Sequence, residues 1–259
     1  MTPEPTLPSD AAASETASFG FREVPAEAKA GMVRQVFDSV AARYDVMNDL
    51  MSLGVHRLWK SAMVDALAPR PGMALVDVAG GTGDIAFRLH ARTGGAAPVT
   101  VCDINHAMLS VGRDRATDRG ILSGLSWVAG DAETLPFADR RFDAYTIAFG
   151  LRNVTRIDRA LAEARRVLRP GGRFLCLEFS RVVVPVLDRI YDGYSATMLP
   201  TLGGLVAGDK ESYRYLHESI RRHPPQQKLA DMMTAAGFAR ASWRNFSGGI
   251  VALHSGWRV

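Results

Sequence analysis

Apolar residues recur along the chain with two different periods, and each period predicts its own kind of element. Between residues 30 and 68 they lie three and four positions apart, the spacing of one helix face, at Val33, Val36, Phe37 and Val40. A second helix is predicted from about Val55 to Leu67, where Pro69 stops it. From Met73 onward, short apolar runs alternate with glycine turns and helical segments.

The second half of this pattern predicts a sheet. Strands are expected at Met73–Ala79, Pro98–Cys102, Leu125–Ala129, Phe142–Phe149 and Arg173–Phe179. Helices are expected between and after them, at Asp84–Ala91, Asn105–Arg115, Thr155–Leu168 and Gln226–Ala236. Two late runs, Phe238–Asn245 and Ile250–His254, flank a Ser-Gly-Gly turn and predict a hairpin at the sheet edge.

Apolar strands that alternate with helices indicate an α/β fold, a parallel sheet covered by helices on both faces. We therefore assign residues 70–259 to one α/β domain with a lid or substrate-binding insertion at about 182–225. Residues 19–69 are assigned to an N-terminal helical lid. Residues 1–18 hold almost no large apolar groups, so they cannot offset their ordering entropy and are expected to form a mobile tail.

The segment Val182–Gly208 is rich in Val, Leu and Met but is interrupted by charges and prolines. No run of about 18 uncharged apolar residues exists, so no membrane span is predicted. We interpret the segment as an apolar lid or a surface helix.

The net charge is +4, and the basic residues are interspersed with acids. This predicts a mildly basic enzyme, with attraction to phosphates or an anionic membrane surface as the alternative. No basic stripe with interleaved aromatics is present, so no nucleic-acid partner is expected. Cys102 and Cys176 lie in apolar runs, which favours a reducing, cytoplasmic compartment. The His and Cys spacing predicts no metal site.

Ligands of an open parallel sheet bind beyond the carboxyl ends of its strands. Four such ends carry chemistry here: residues 77–84 (DVAGGTGD), Asp103, the Asp131-Ala132 pair, and residues 149–153 (FGLRN). Glycines let the backbone approach a ligand closely. Asp103 can accept hydrogen bonds from two ribose hydroxyls, and Asp131 can bond an adenine amino group. The sequence therefore predicts an adenosine-type pocket.

The glycine turn alone does not identify the cofactor. Residues 81–86 also satisfy the loose dinucleotide pattern, which leaves a nicotinamide cofactor as an alternative. Three features disfavour it: Asp77 lies inside the first strand, Asp131 follows the third strand, and the C-terminal hairpin is foreign to a plain doubled mononucleotide fold.

Four blocks of the chain resemble, in the same order, those of the ubiquinone/menaquinone biosynthesis C-methyltransferase family within the class I methyltransferases. The first is YDVMN at 44–48, followed by MSLGVH at 51–56 and Trp59. The others are FGLRNV at 149–154, RVLRPGGR at 166–173 and NFSGGIVALH at 245–254. The block at 166–173 is shared by many methyltransferases. The resemblance covers Val36 to Arg258.

The resemblance implies a Rossmann-like sheet of seven strands, mainly parallel with the last strand antiparallel, plus N-terminal helices. It implies S-adenosylmethionine (SAM) as cofactor. Its methyl group would pass to a ring carbon of a polyprenylated benzoquinol or demethylmenaquinol. The expected cofactor-binding residues are Asp77, Ala79, Gly80, Gly81, Thr82, Gly83, Asp103, Ile104, Asp131 and Ala132. The family often has a serine where this chain has Ala148, so no side-chain contact is expected there.

Three residues are expected to act in catalysis. A quinol carbon becomes nucleophilic when a neighbouring hydroxyl loses its proton. Arg152 is always protonated and is expected to stabilise the phenolate; the alternative is that it pairs with an acid and pins its loop. Asn153 is expected to orient a hydroxyl. His56 is the candidate for proton removal, with a packing role as its alternative.

Tyr44, Phe149, Tyr213 and Tyr215 are expected to line the substrate site, although the tyrosines fit a packing role equally well. The expected partner is a lipid-tailed quinol, met by a flap at Val182–Gly208 that touches the inner face of the cell membrane, or the matrix side if mitochondrial. A quinone-biosynthesis complex and a homodimer are further possibilities. Two alternative functions remain. The protein could methylate another small molecule, or it could be a non-catalytic subunit that binds the cofactor.

Overall fold

The computed structural model describes residues 15–40, 49, 52, 54–183 and 210–259. Tyr44, the side chain of Tyr213 and the expected flap beyond Val183 lie outside the described residues. Among the helices that are described, none is long and apolar enough to cross a membrane.

A seven-stranded sheet forms the centre of the structure, in the order β5-β4-β3-β6-β7-β9-β8. Its strands are β3 Leu75–Val78, β4 Val99–Asp103, β5 Leu125–Ala129, β6 Phe142–Ala148, β7 Leu168–Phe179, β8 Phe238–Phe246 and β9 Val251–Arg258. Strands β3 to β7 pair in parallel, and β9 is antiparallel to both β7 and β8. The predicted sheet of parallel strands with an antiparallel last strand is confirmed.

Helices cover both faces of this sheet, as the alternating pattern predicts. They are α1 Ala26–Val40, α2 His56–Leu67, α3 Asp84–Arg92, α4 His106–Asp118, α5 Ile157–Val167, α6 Lys210–Arg222 and α7 Gln226–Ala235. The buried faces of α2, α3 and α4 contribute Met63, Leu89 and Leu109 to one apolar cluster. Those of α5 and α7 contribute Leu161 and Met233 to the other.

The fifth strand differs from its predicted bounds. It begins at Leu168 rather than Arg173, because Leu168 pairs with Phe142 of β6. Helix α5 therefore ends at Val167. Its last carbonyls accept hydrogen bonds from Arg258 near the end of β9: Nη1 lies 2.7 Å from the oxygens of both Arg165 and Arg166. A cation at this position suits the negative end of a helix dipole.

The N-terminal region corrects two expectations. Residues 16–18 belong to a strand, β1 Thr16–Phe19, which pairs antiparallel with β2 Arg22–Pro25. The predicted tail to residue 18 is thus too long, and the lid from residue 19 is not wholly helical. The hairpin is held because Phe19 is buried against Val33 and Tyr215, a long-range contact that local composition does not reveal.

Candidate functional site

An open cleft lies beyond the carboxyl ends of β3, β4, β5 and β6, where the strand order reverses. It holds about 780 Å³ of empty space, a figure that includes open solvent. Each predicted strand end contributes to it. The lining includes Ala79, Gly81, Asp103, Ile104, Asp131, Ala132, Phe149, Gly150 and Asn153.

The remaining expected cofactor residues, Asp77, Gly80, Thr82 and Gly83, lie outside this lining. Gly80 has a packing reason to be glycine: a Cβ there would lie 2.7 Å from Cγ1 of Val101 and 2.9 Å from Oδ2 of Asp77. Thr82 is buried, and its hydroxyl accepts a hydrogen bond of 3.1 Å from Nη1 of Arg115. These residues shape and support the glycine turn from below.

Asp77 lies under the turn and is only 1% exposed. Its Oδ1 accepts a hydrogen bond of 2.8 Å from the hydroxyl of Thr146, whereas no described residue bonds its Oδ2. Burial raises the pKa of Asp77 to about 7, against the opposing hydrogen bond from Thr146. The carboxyl is therefore partly protonated near neutral pH.

Asp103 is placed as the sequence predicts, at the end of β4 and in the cleft wall. The backbone N–H of Gly81 donates to its Oδ2 at 2.8 Å, and that of Asn105 donates to its Oδ1 at 2.8 Å. Burial raises the pKa of Asp103, and hydrogen bonds from the backbone N–H groups of Asn105, Gly81 and Ile104 oppose that shift. Each oxygen keeps a free lone pair, so the carboxylate can still accept a bond from each of two neighbouring hydroxyls.

Asp131 and Ala132 form the next part of the wall, after β5. Oδ1 of Asp131 accepts the backbone N–H of Glu133 at 2.9 Å, which fixes the carboxylate to its own loop. Its other oxygen is available for an amino group. Asp131 and Asp103 thus present two acceptors along neighbouring strand ends.

Helix α1 covers the cleft and contributes Ala30, Val33, Arg34 and Phe37 to its lining. Asn105 links this covering helix to the wall of the cleft. Its Oδ1 accepts the backbone N–H of Met108 and caps α4, while its Nδ2 donates to Oδ1 of Asp38 at 2.8 Å. Sequence reasoning missed Asn105 as a site residue. Its position after a strand-end acid and before a helix is the available signal.

Arg152 does not line this cleft. Its side chain is 1% exposed, and Nη1 donates to Oε1 of Glu178 at 2.7 Å and to the carbonyl of Phe149 at 2.6 Å. This is the geometry of the alternative interpretation, in which Arg152 pairs with an acid and pins the loop, and it does not place the guanidinium against a phenolate in the cleft. Glu178, an acid inside an apolar strand, was not predicted as a functional residue.

His56 also lies outside the cleft lining. It is buried at the start of α2, with Nε2 2.9 Å from Oδ1 of Asp49. Burial lowers the pKa of His56, and the nearby Lys60 lowers it further, against the opposing effect of Asp49. A lowered pKa favours the neutral imidazole, the form that a base requires, but the described residues do not bring it to the cleft. Its catalytic role stays a prediction.

The expected substrate residues separate. Phe149 lies in the cleft wall and packs between Trp59 and Phe179. Tyr215 is buried outside the cleft, where its hydroxyl donates to Oδ1 of Asn153 at 3.0 Å. Asn153 itself faces the cleft. The site thus brings together Asn153, Phe149 and the acids of β4 and β5.

The sequence is similar to a family model and to named proteins of other organisms. A family model described as the ubiE/COQ5 methyltransferase family matches residues 22–258. The chain is 59% identical over 244 residues to a protein of Brucella abortus named ubiquinone/menaquinone biosynthesis C-methyltransferase UbiE, covering 93% of this chain and 91% of that one. The protein of the same name from Brucella anthropi is 58% identical over 244 residues, with 93% of both chains covered.

Solved structures share the fold at low sequence identity. A SAM-dependent methyltransferase of Thermotoga maritima, described as a possible histamine N-methyltransferase, superposes with a TM-score of 0.60 at 20% identity, over 87% of this chain and 99% of that one. Phosphoethanolamine N-methyltransferase 2 of Haemonchus contortus, solved with SAM, gives 0.57 at 13% identity, over 77% and 52%. These likenesses confirm the predicted Rossmann-like methyltransferase fold. The family model and the sequence relatives show that the chain belongs to the ubiE/COQ5 methyltransferase family.

Proposed function

We propose that this chain transfers the methyl group of SAM to a ring carbon of a polyprenylated benzoquinol or demethylmenaquinol. The observation that carries the proposal is the meeting of four strand ends at one cleft in a chain of this family. The names of the Brucella relatives supply the substrate class.

The residues of the cleft fit SAM. The paired acceptors of Asp103 suit the two ribose hydroxyls, and Asp131 with Ala132 suits the adenine edge. Gly81 has a φ of +53° and lines the cleft, so the turn can meet the amino-acid end of the cofactor closely. When bound, SAM supplies an electrophilic methyl group on its sulfonium.

The chain's own residues hold and activate the acceptor. Asn153 lines the cleft beyond β6, and its side-chain amide is proposed to orient a ring hydroxyl. Phe149 and the α1 residues Val33 and Phe37 give this end an apolar lining that excludes water and accepts a ring. Holding donor and acceptor in near-attack geometry can supply several kcal/mol, up to about 7–11, of the barrier.

The ring hydroxyl next to the reacting carbon must lose its proton, and His56 is the proposed base. Its Nδ1 has no partner among the described residues, and its Nε2 is held by Asp49. Arg152 acts by pinning the loop that carries Asn153.

The test is to incubate purified protein with methyl-labelled SAM and a demethylated quinol, and then to locate the label in the product. Label on a ring carbon is expected. Phenols and amines serve as competing acceptors, and transfer to them alone would point to another small-molecule substrate. SAM binding without transfer to any acceptor would favour the non-catalytic subunit.

The acceptor's isoprenoid tail is insoluble in water, so we also propose that the protein meets it at a membrane surface. The segment Val182–Gly208 supports this by its apolar composition. Deleting it should abolish activity on long-tailed quinols and spare SAM binding. Equal loss of both would contradict the proposal.

A further inference from the structure

The loop after β6 is fixed on both sides of Asn153. Before it, the backbone N–H of Arg152 donates to Oε2 of Glu178 at 3.2 Å, and the Arg152 side chain is ion-paired with the same carboxylate. After it, Nζ of Lys29 donates to the carbonyl oxygen of Val154 at 2.9 Å. The backbone N–H of Asn153 itself bonds the carbonyl of Gly150 at 3.1 Å. The remaining freedom at this position is the rotation of the Asn153 side chain.

Among the described residues, one side-chain hydrogen bond from another element bears on that rotation. Tyr215, on the buried side of α6, donates its hydroxyl hydrogen to Oδ1 of Asn153 at 3.0 Å. Tyr215 and Asn153 are 62 residues apart in the sequence. A side-chain amide is planar, with the acceptor oxygen on one arm and the NH₂ donor on the other. In this structure Oδ1 faces the Tyr215 hydroxyl, so Nδ2 points away from that hydroxyl.

Tyr215 is itself held firmly. It is 4% exposed, and its ring stacks on that of Phe19 from the N-terminal hairpin, with centroids 4.3 Å apart and an interplanar angle of 20°. Val33 of α1 completes this small apolar cluster. Because the hairpin, α1 and α6 meet at this ring, the position of the hydroxyl is set by packing and does not depend on the loop.

We propose that Tyr215 is a positioning residue for methyl transfer, which orients the Asn153 amide so that its NH₂ group donates to an oxygen of the acceptor ring. The inference rests on the proposed function. It assigns donor character to the cleft face of Asn153, which suits a quinol hydroxyl as it becomes a phenolate. If the Asn153 amide flipped, the carbonyl oxygen would face the developing negative charge and repel it.

The hydroxyl of Tyr215 is a reliable donor. Burial raises the pKa of Tyr215 well above its usual value, against the opposing effect of the nearby Arg152. The phenol therefore stays protonated at every pH used for assay, and the orientation of Asn153 does not titrate.

The test is a double-mutant cycle in the full chain, with Tyr215→Phe, Asn153→Ala and the combined variant. Tyr215→Phe removes one oxygen and keeps the stack on Phe19. Its kcat on a demethylated quinol should fall about 10-fold, because the transition state loses a stabilisation equal to about one hydrogen bond. The Kd for SAM should be unchanged. In the Asn153→Ala background, Tyr215→Phe should cause no further loss.

Tyr145→Phe is the matched control, since it removes the hydroxyl of another buried tyrosine, in the core of β6 against Phe174. It should leave kcat unchanged. Wild-type kcat in Tyr215→Phe would overturn the inference, as would losses that multiply in the combined variant, because Tyr215 would then act independently of Asn153. A wild-type chain that methylates no quinol would instead remove the proposed function and the inference with it.

Discussion

Nη1 of Arg152 lies 2.7 Å from Oε1 of Glu178, and each of the two side chains is only 1% exposed. Glu178 lies near the end of β7, and Arg152 belongs to the loop after β6, so the pair joins neighbouring strand ends at the site. A buried ion pair is costly to break because the remaining charge loses its partner in a low-dielectric environment.

We therefore expect Glu178→Ala to destabilise the fold by about 3–5 kcal/mol and to lower activity through disorder of the loop. Urea unfolding followed by circular dichroism measures the loss. Asp65→Ala is the control, because its pair with Arg92 is more than half exposed on both sides and should contribute less than about 1 kcal/mol. A loss below about 1 kcal/mol in Glu178→Ala would contradict the pinning role.

The buried carboxyl of Asp77 should make stability fall as the pH rises. Its pKa in the folded chain is about 7, raised mainly by burial, against about 3.9 in the unfolded chain. Between these values the folded state binds the proton and the unfolded state does not, so folding is favoured less at each higher pH. The stabilisation is full below about pH 4 and is lost as the pH passes 7.

Asp77→Asn cannot ionise, so its free energy of unfolding should change less between pH 5 and 8 than that of the wild type. The difference should be on the order of 3 kcal/mol, because about two pKa units of the shift, at 1.36 kcal/mol each, lie between pH 5 and pH 7. Denaturant titrations of both proteins at several pH values check this. Parallel pH profiles would show that Asp77 does not titrate as its burial predicts.

Asp103 should control cofactor affinity. Asp103→Ala removes two acceptors from the cleft and leaves the N–H groups of Gly81 and Asn105 without their partner. Loss of one or two charge-assisted hydrogen bonds at about 1.5–3 kcal/mol each should weaken SAM binding by at least about 10-fold. Calorimetric titration with SAM gives the value. Asp114→Asn, on the exposed side of α4, should bind like the wild type.

Asn105 should couple helix α1, which covers the cleft, to the start of α4. Asn105→Ala removes the cap of α4 and the bond to Asp38 together, and should destabilise by about 1 kcal/mol from the cap alone. Asn105→Asp keeps the cap but places a carboxylate against Asp38. Both variants should be cleaved faster within α1, whereas α4 should keep its normal stability in Asn105→Asp. This result would show that the bond to Asp38 acts separately from the helix cap. Unchanged cleavage would contradict the coupling.

The strands and the cleft acids were predictable because both follow from local pattern. A buried parallel strand is a short apolar run, and the residue after it lies at the ligand edge of the sheet, as Asp103 and Asp131 do. The partners of Arg152 and Tyr215 were not predictable, because they depend on contacts across 26 and 62 residues. The hairpin at Thr16–Pro25 was missed for the same reason. Its stability comes from Phe19 meeting Tyr215, and not from its own composition.

The place of β9 in the sheet constrains how the chain can be made. This strand is synthesised after β8, but in the sheet it lies between β7 and β8, and β8 is the edge strand. Until it leaves the ribosome, β7 exposes an unpaired edge, β8 has no neighbour, and the final carbonyls of α5 lack Arg258. An unpaired apolar edge invites association with other chains. A chain in which β9 has not yet paired should therefore associate with other chains more readily than the folded protein does, until this eight-residue strand inserts.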